Sequence, residues 1–150
     1  MSLRDYVTVR VAGHLFGLEA LGVQDVFYPR GITPVPLSAP EILGVLNLRG
    51  RIVTAICART RLGLKPREPS ARPAKAIGLE VGGDNYGLVV DEVEAVIKLD
   101  PAELIAPPDN LPARWAEVIP GVFRLPDGLL VIFDAPKLLT GGLGLLGAAA

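Results

Sequence analysis

Short runs of alternating apolar and polar residues, separated by turns, fill the first part of the chain. Residues 6–11 (YVTVRV) place the valines on one face of a predicted strand and Tyr6, Thr8 and Arg10 on the other. This pattern is typical of a strand with one buried face. Further strands are predicted at 15–18, after a turn, and at 23–28, where Pro29 ends the run.

The most informative stretch is Gly44–Cys57, which reads GVLNLRGRIVTAIC. Apolar, β-branched runs on both sides of Arg49-Gly50-Arg51 predict a hairpin. Two arginines at the turn of an apolar hairpin must face solvent or pair with a carboxylate. One interpretation is a solubilising turn, and the other makes Arg49 a fixed recognition or pairing point.

The second half of the chain repeats the first. A shift of seventy residues carries Val11, Gly13, Phe16, Gly17, Leu18, Val23 and Val26 onto Val81, Gly83, Tyr86, Gly87, Leu88, Val93 and Val96. A shift of seventy-seven carries the hairpin segments 44–48 and 52–56 onto 121–125 and 129–133.

We therefore predict an all-β fold in which each half of the chain forms a small antiparallel unit of about five strands, closed into a barrel, and the two units share an apolar seam. The chain forms a single domain over 1–150, with one subdomain at roughly 15–72, a second at roughly 73–139 and the N-terminal strand packing across. Residues 140–150 form a tail. The alternative is one larger sandwich in which the similarity is coincidental.

Other segments connect or close these units. Prolines make residues 30–41 an extended connector, and 65–73 (KPREPSARP) reads as an exposed loop. A short helix is predicted near 58–62, and another at 134–139 with Asp134 as its cap. The final GGLGLLGAAA either frays or packs its leucines onto a partner.

Composition excludes several classes of function. Half of the 150 residues are hydrophobic and the net charge is −1, so a folded protein is expected and nucleic acid is not a partner. The single cysteine, Cys57, permits no internal disulfide and reads as a buried apolar residue. No signal peptide and no apolar run of membrane-spanning length are evident, which predicts a cytoplasmic protein without direct membrane insertion.

Catalytic chemistry has no evident carrier. His14 is the only histidine and lies at a predicted turn, where it is expected to be exposed. Asp91 and Glu92 are adjacent, so on a strand they point to opposite faces. Gly82-Gly83 does not open a helix and resembles a hairpin turn rather than a phosphate loop. We expect no catalytic residue, cofactor or metal, and a protein that acts by binding other proteins.

The motifs together resemble the CheW-like domain, the family of chemotaxis coupling proteins. The resemblance covers residues from about Tyr6 to Leu139. It rests on FGLE, VQDV, VPLSAPEILGVLNLRGRIV, RLGL, YGLVVDEVEAV and GVFRLPDGLLVIFDAPKLL, which occur here in that order.

This resemblance implies two intertwined five-stranded, SH3-like barrels that share a hydrophobic core, with short helices. It also implies a non-enzymatic adaptor. Members of the family bind the regulatory domain of a CheA-type histidine kinase and the signalling tip of methyl-accepting chemoreceptors. In the family an acidic residue pairs with the arginine of NLRG, and the matching positions here are Asp25 and Arg49. The implied partner-binding residues are Val23, Asp25, Val26, Gly44, Asn47, Arg49 and Gly50.

The chain departs from the family after NLRG. Thr54, Cys57 and Ala58 replace a proline, an aspartate and a leucine, although Arg59 is retained. The alternatives are therefore a paralogous CheW-like scaffold of a non-chemotaxis pathway or one that engages a single partner. A small β-barrel module that binds a ligand or nucleic acid is a more distant alternative.

Overall fold

The computed structural model describes residues 2–67 and 73–140. Ten strands and three short α-helices are found there. The strands are β1 (Arg4–Val11), β2 (His14–Glu19), β3 (Val23–Phe27), β4 (Ile42–Leu48), β5 (Arg51–Cys57), β6 (Lys75–Val81), β7 (Asp84–Val90), β8 (Glu92–Leu99), β9 (Gly121–Leu125) and β10 (Gly128–Ile132). The helices are α1 (Ala58–Arg61), α2 (Ala113–Ala116) and α3 (Ala135–Thr140).

The strands form two five-stranded sheets. Sheet A has the order β8-β1-β2-β10-β9, and sheet B has the order β3-β6-β7-β5-β4. The all-β class and the two five-stranded units are thus confirmed. Closure of each sheet into a barrel stays a prediction, because β8 and β9, or β3 and β4, are not paired with each other in the described chain.

The internal repeat is visible in the topology. Moving each strand of sheet A five places along the chain order, cyclically, turns β8-β1-β2-β10-β9 into β3-β6-β7-β5-β4, the order of sheet B. The registers agree as well. Phe16 pairs with Val131 across the parallel β2–β10 contact, and Tyr86 pairs with Thr54 across β7–β5, at positions related by the shifts of seventy and seventy-seven.

Each sheet draws strands from both halves of the sequence. Sheet A combines β1 and β2 with β8–β10, and sheet B combines β3–β5 with β6 and β7. Each sheet therefore combines strands from both predicted subdomain ranges, 15–72 and 73–139, and those ranges stay a prediction. The N-terminal strand β1 pairs with β8 from the second half of the chain.

Buried apolar side chains of residues 2–67 and 73–140 form three clusters. The largest joins residues of both sheets, including Val9, Phe16, Ile77 and Leu88, and is the shared core. Leu46, Val53, Ala55, Ala76 and Val89 form a cluster within sheet B, and Tyr6, Phe123, Leu130 and Ile132 form one within sheet A. A separate apolar cluster within each sheet, together with a shared core, is the arrangement expected of two packed units rather than of a single sandwich.

The expectation of one buried face for the first strand is wrong. Tyr6 and Thr8 are buried along with the valines. Tyr6 packs edge-on against Phe123 inside sheet A, with ring centroids 5.2 Å apart. The Thr8 hydroxyl donates to the Ala95 carbonyl oxygen at 2.9 Å. Strand β1 is buried on both faces because it lies between the apolar cluster within sheet A and the shared core.

Helices α1 and α3 lie at the predicted positions, 58–62 and 134–139, whereas α2 was not predicted. Asp134 caps α3, and its Oδ1 accepts a hydrogen bond from the Lys137 N–H at 3.1 Å. Cys57 is half-buried rather than buried, since it ends β5 at the edge of the core. Most of the predicted loop at 65–73 and the tail at 141–150 lie outside the described residues. None of the described helices is long and apolar enough to cross a membrane.

Candidate partner-binding surface

The β4–β5 hairpin turns through Arg49 and Gly50. Both residues have positive φ, 53° and 85°, which is the geometry of a two-residue type I′ turn. The Asn47 side chain fixes this turn, because its Oδ1 accepts the Gly50 N–H at 2.9 Å. Gly50 suits such a turn, whereas Arg49 adopts a left-handed conformation that L-residues avoid at about 1–2 kcal/mol.

Arg49 and Arg51 reach from this turn to β3. Arg49 Nη1 lies 3.4 Å from Oδ2 of Asp25, and Arg51 Nη1 donates to Oε1 of Gln24 at 3.2 Å. The Arg49 side chain is 74% exposed and that of Asp25 is 19% exposed. Side chains of the β4–β5 hairpin thus contact β3. In this way they connect β3 and β4, which are the two outer strands of sheet B. We name the residues Gln24, Asp25, Val26, Arg49 and Arg51 the β3–hairpin surface.

The structure divides the other predicted site residues between surface and interior. Val26 is 46% exposed, whereas Val23 is half-buried and packs against the shared core. The two valines therefore do not share a face of β3. Gly44 is buried and is not part of the exposed surface. Asn47 and Gly50 are exposed at the turn.

The Asp25–Arg49 pair has no counterpart in the other sheet. The shift of seventy carries Asp25 onto Ala95, and the shift of seventy-seven carries Arg49 onto Pro126. Sheet A forms the same strand order without either charge. The fold itself therefore does not need this pair.

Sequence reasoning missed a second charged cluster, centred on Asp91. Arg59 Nε and Arg67 Nη1 each donate to its Oδ1 at 3.0 Å, and the Ala12 N–H donates to its Oδ2 at 2.9 Å. Asp91 lies between β7 and β8 rather than within a strand, so the expected alternation of faces with Glu92 does not apply. The signal available in the sequence was Arg59, which the family pattern retains.

Asp91 should stabilise the fold in a pH-dependent way. Partial burial alone would raise the pKa of Asp91, but hydrogen bonds from Arg59, Ala12 and Arg67 outweigh it and hold the pKa below its usual value. Because the pKa is lower in the folded state, this stabilisation is complete above the unfolded pKa of about 4 and is lost as pH falls through the folded pKa.

Replacing Asp91 with asparagine should therefore lower the free energy of unfolding by about 1–3 kcal/mol at pH 7. The difference from the native protein should shrink below about pH 4. Urea titrations at several pH values measure both effects. Glu94→Gln is the matched control, because the Arg10–Glu94 pair is 42% and 40% exposed and should contribute below about 1 kcal/mol. A loss for Asp91→Asn that does not change with pH would contradict the assignment.

Metal-binding side chains do not cluster in the described part of the chain. It contains no group of three or more His, Cys, Asp or Glu residues that could hold a metal ion. His14 is exposed, as predicted, and its ring stands edge-on to Trp115 at 5.9 Å. The arrangement at the β3–hairpin surface, an exposed arginine held beside a carboxylate, suits recognition of another protein.

Comparison with known proteins decides the family. Residues 5–142 match the model of the CheW-like domain. The chain belongs to the CheW-like domain family. A chemotaxis protein CheW from Treponema pallidum is 26% identical over 137 residues, covering 89% of this chain and 81% of that protein. A probable chemotaxis protein CheW from Rhizobium etli is 33% identical over 107 residues, covering 69% and 66%.

This CheW-like domain also has a close structural relative. The crystal structure of the scaffolding protein TtCheW from Thermoanaerobacter tengcongensis superimposes with a TM-score of 0.81 at 28% sequence identity. The match covers 93% of this chain and 94% of that one. The resemblance inferred from the motifs is thus confirmed over nearly the whole chain.

Proposed function

We infer that this CheW-like domain is a non-enzymatic scaffold that couples a CheA-type histidine kinase to methyl-accepting chemoreceptors. Its relatives are named as chemotaxis and scaffolding proteins. The observation that carries the proposal is the Asp25–Arg49 pair, which occurs on one of two repeat-related sheets and is not required by the fold. The predicted cytoplasmic location follows from these partners.

The β3–hairpin surface has the properties of a binding surface. Arg49 remains at a left-handed position where glycine or asparagine would fit better, and its guanidinium is largely exposed. Such a group can donate to a carboxylate of a partner while Asp25 holds its orientation. Val26 and Ile52 are 46% and 63% exposed and offer apolar area on β3 and β5.

The direct test uses purified kinase regulatory domain and a receptor signalling fragment. Titration by calorimetry should show binding of both at tens of micromolar or tighter. Binding of one alone would favour the alternative of a scaffold that engages a single partner, suggested by Thr54, Cys57 and Ala58. Binding of neither would overturn the proposal, and binding of labelled oligonucleotides instead would favour the nucleic-acid alternative.

Reversing the charge of Arg49 should weaken binding of at least one partner by tenfold or more. The Arg49→Glu variant places two carboxylates together and removes the guanidinium from the surface. Adding Asp25→Arg should recover part of the affinity, because the pair is restored with its charges exchanged. Calorimetric titration measures each affinity.

Arg124→Glu provides the control for this experiment. Arg124 is an exposed arginine on β9 in sheet A, distant in the topology from the β3–hairpin surface. Its reversal should change affinity by less than twofold if binding uses the β3–hairpin surface. Equal losses for Arg49→Glu and Arg124→Glu would show that net charge, and not this surface, determines binding.

A further inference from the structure

Gly78 lies opposite Asp25 where β6 pairs with β3. It is buried within the sheet and does not have positive φ, so the backbone conformation at this position does not call for glycine. Glycine inside a strand weakens the strand, because it has high conformational freedom when unfolded and no side chain to pack. Its presence here needs another reason.

The Asp25 carboxylate fills the space that a side chain at position 78 would need. A Cβ added to Gly78 would lie 3.4 Å from Cγ of Asp25 and would overlap Oδ1. Oδ1 is buried and has no hydrogen-bond partner among the described residues, while Oδ2 faces Arg49. Leaving a buried carboxylate oxygen unpaired is unfavourable. Stability alone therefore does not explain this arrangement.

The repeat shows how the same place is filled when no binding pair is present. The shift of seventy relates Gly78 to Thr8 and Asp25 to Ala95. In sheet A the Thr8 hydroxyl donates to the Ala95 carbonyl at 2.9 Å and accepts from the Ala95 N–H at 3.0 Å. Both strand pairs also have a register shift at this point. In sheet A the hydroxyl of an inner-strand side chain, Thr8, thus pairs with both backbone polar groups of Ala95.

We propose that Gly78 is the positioning residue of the β3–hairpin surface. The absence of a side chain at position 78 lets the Asp25 carboxylate lie inward over β6, and this placement sets the direction of Arg49 for a partner carboxylate. Where sheet A has Thr8 and Ala95, sheet B has Gly78 and the edge-strand carboxylate of Asp25. The binding part of this inference rests on the proposed function.

A crystal structure of Gly78→Ala tests the positioning step without any partner. Asp25 should rotate away from β6, and its 3.4 Å contact with Arg49 should be lost. The fold should persist, because the atom displaced is the end of a side chain. An unchanged Asp25–Arg49 contact in the variant would overturn the inference whatever the binding results are.

Affinity measurements test the functional step. Gly78→Ala should bind about tenfold more weakly than the native protein, and adding Asp25→Ala should cause no further loss. Gly22→Ala is the control, because a Cβ there meets only Leu79 Cδ2 at an ordinary 3.9 Å; its affinity should be unchanged. If Asp25→Ala still lowered affinity in the Gly78→Ala background, the two residues would act independently and the inference would fail.

The double variant Gly78→Thr with Asp25→Ala reproduces the arrangement of sheet A. Its melting temperature should equal or exceed that of the native protein, while its affinity should match that of Asp25→Ala. A melting temperature well below that of Asp25→Ala would show that sheet B cannot accept the threonine, and would contradict the equivalence of the two sites. Native protein that binds neither partner would instead refute the proposed function, and the crystal structure alone would then decide the role of Gly78.

Discussion

Replacing Gly44 with alanine should lower the free energy of unfolding by about 3 kcal/mol or more. Gly44 has φ of +142°, a conformation open essentially to glycine alone. An added Cβ would also lie 2.7 Å from the Thr33 carbonyl carbon and 2.8 Å from Ile32 Cγ2. Thr33 cannot retreat easily, because it exchanges backbone hydrogen bonds of 2.8 and 2.9 Å with Val45.

Alanine substitutions at two further glycines distinguish the effect of the steric clash on stability from the effect of the backbone strain. Gly50→Ala introduces strain at φ +85° without any atom within 4 Å of the new Cβ, and should cost about 1 kcal/mol. Gly121, related to Gly44 by the shift of seventy-seven, lacks positive φ but would place a Cβ 2.5 Å from the Ile105 carbonyl oxygen. Chemical denaturation of the three variants should rank Gly44 first and Gly50 last. Equal losses for Gly44→Ala and Gly50→Ala would contradict the clash.

This result would also change how Gly44 is viewed as a binding residue. It belongs to the implied partner-binding set, yet it is buried and contacts the Thr33 segment. Loss of binding in Gly44→Ala should therefore accompany loss of folded protein. Arg49→Glu should differ, because its side chain is 74% exposed and exposed ion pairs contribute about 0–1 kcal/mol to stability.

The strands and the repeat could be read from the sequence because both depend on local pattern. Alternation of apolar residues and the Arg49-Gly50 break place β4 and β5 without knowledge of the rest of the chain. The assignment of strands from both halves of the chain to each sheet could not be predicted in the same way. Repeat-related strands carry similar apolar patterns, so on sequence alone β3 could pair with the inner strand of either half, β1 or β6. Only tertiary packing selects β6.

The residues of the candidate site likewise fall into those that the sequence predicts and those that only the folded chain identifies. Asp25 and Arg49 could be named from motif positions, and the structure brings them together. Gly78 could not be predicted as a site residue, because the sequence around it is typical of an ordinary strand. The group that occupies the space of its missing side chain is the Asp25 carboxylate, fifty-three positions earlier in the chain. The Asp91 cluster was missed because assigning Asp91 to a strand separated it from Arg59 and Arg67, which only the folded chain brings close.

Replacing Phe16 with alanine should lower the free energy of unfolding by about 3–5 kcal/mol. Phe16 has no exposed surface and lies in the shared core. Its ring stacks on Phe133 with centroids 4.5 Å apart and meets the Trp115 ring at 5.4 Å. Truncation would leave a cavity between β2, α2 and the segment after β10, where the rigid rings of Phe133 and Trp115 form part of the wall, so collapse would be limited.

The repeat again supplies the control. Tyr86 is the counterpart of Phe16 under the shift of seventy, but it is only half-buried. Tyr86→Ala should therefore lose less stability than Phe16→Ala in the same urea titration, because less apolar surface leaves water on folding. If the two losses were equal, the shared core would depend on both repeats alike, and the aromatic stack around Phe16 would not be its main support. A smaller loss for Phe16→Ala would mean that Phe133 and Trp115 close over the cavity.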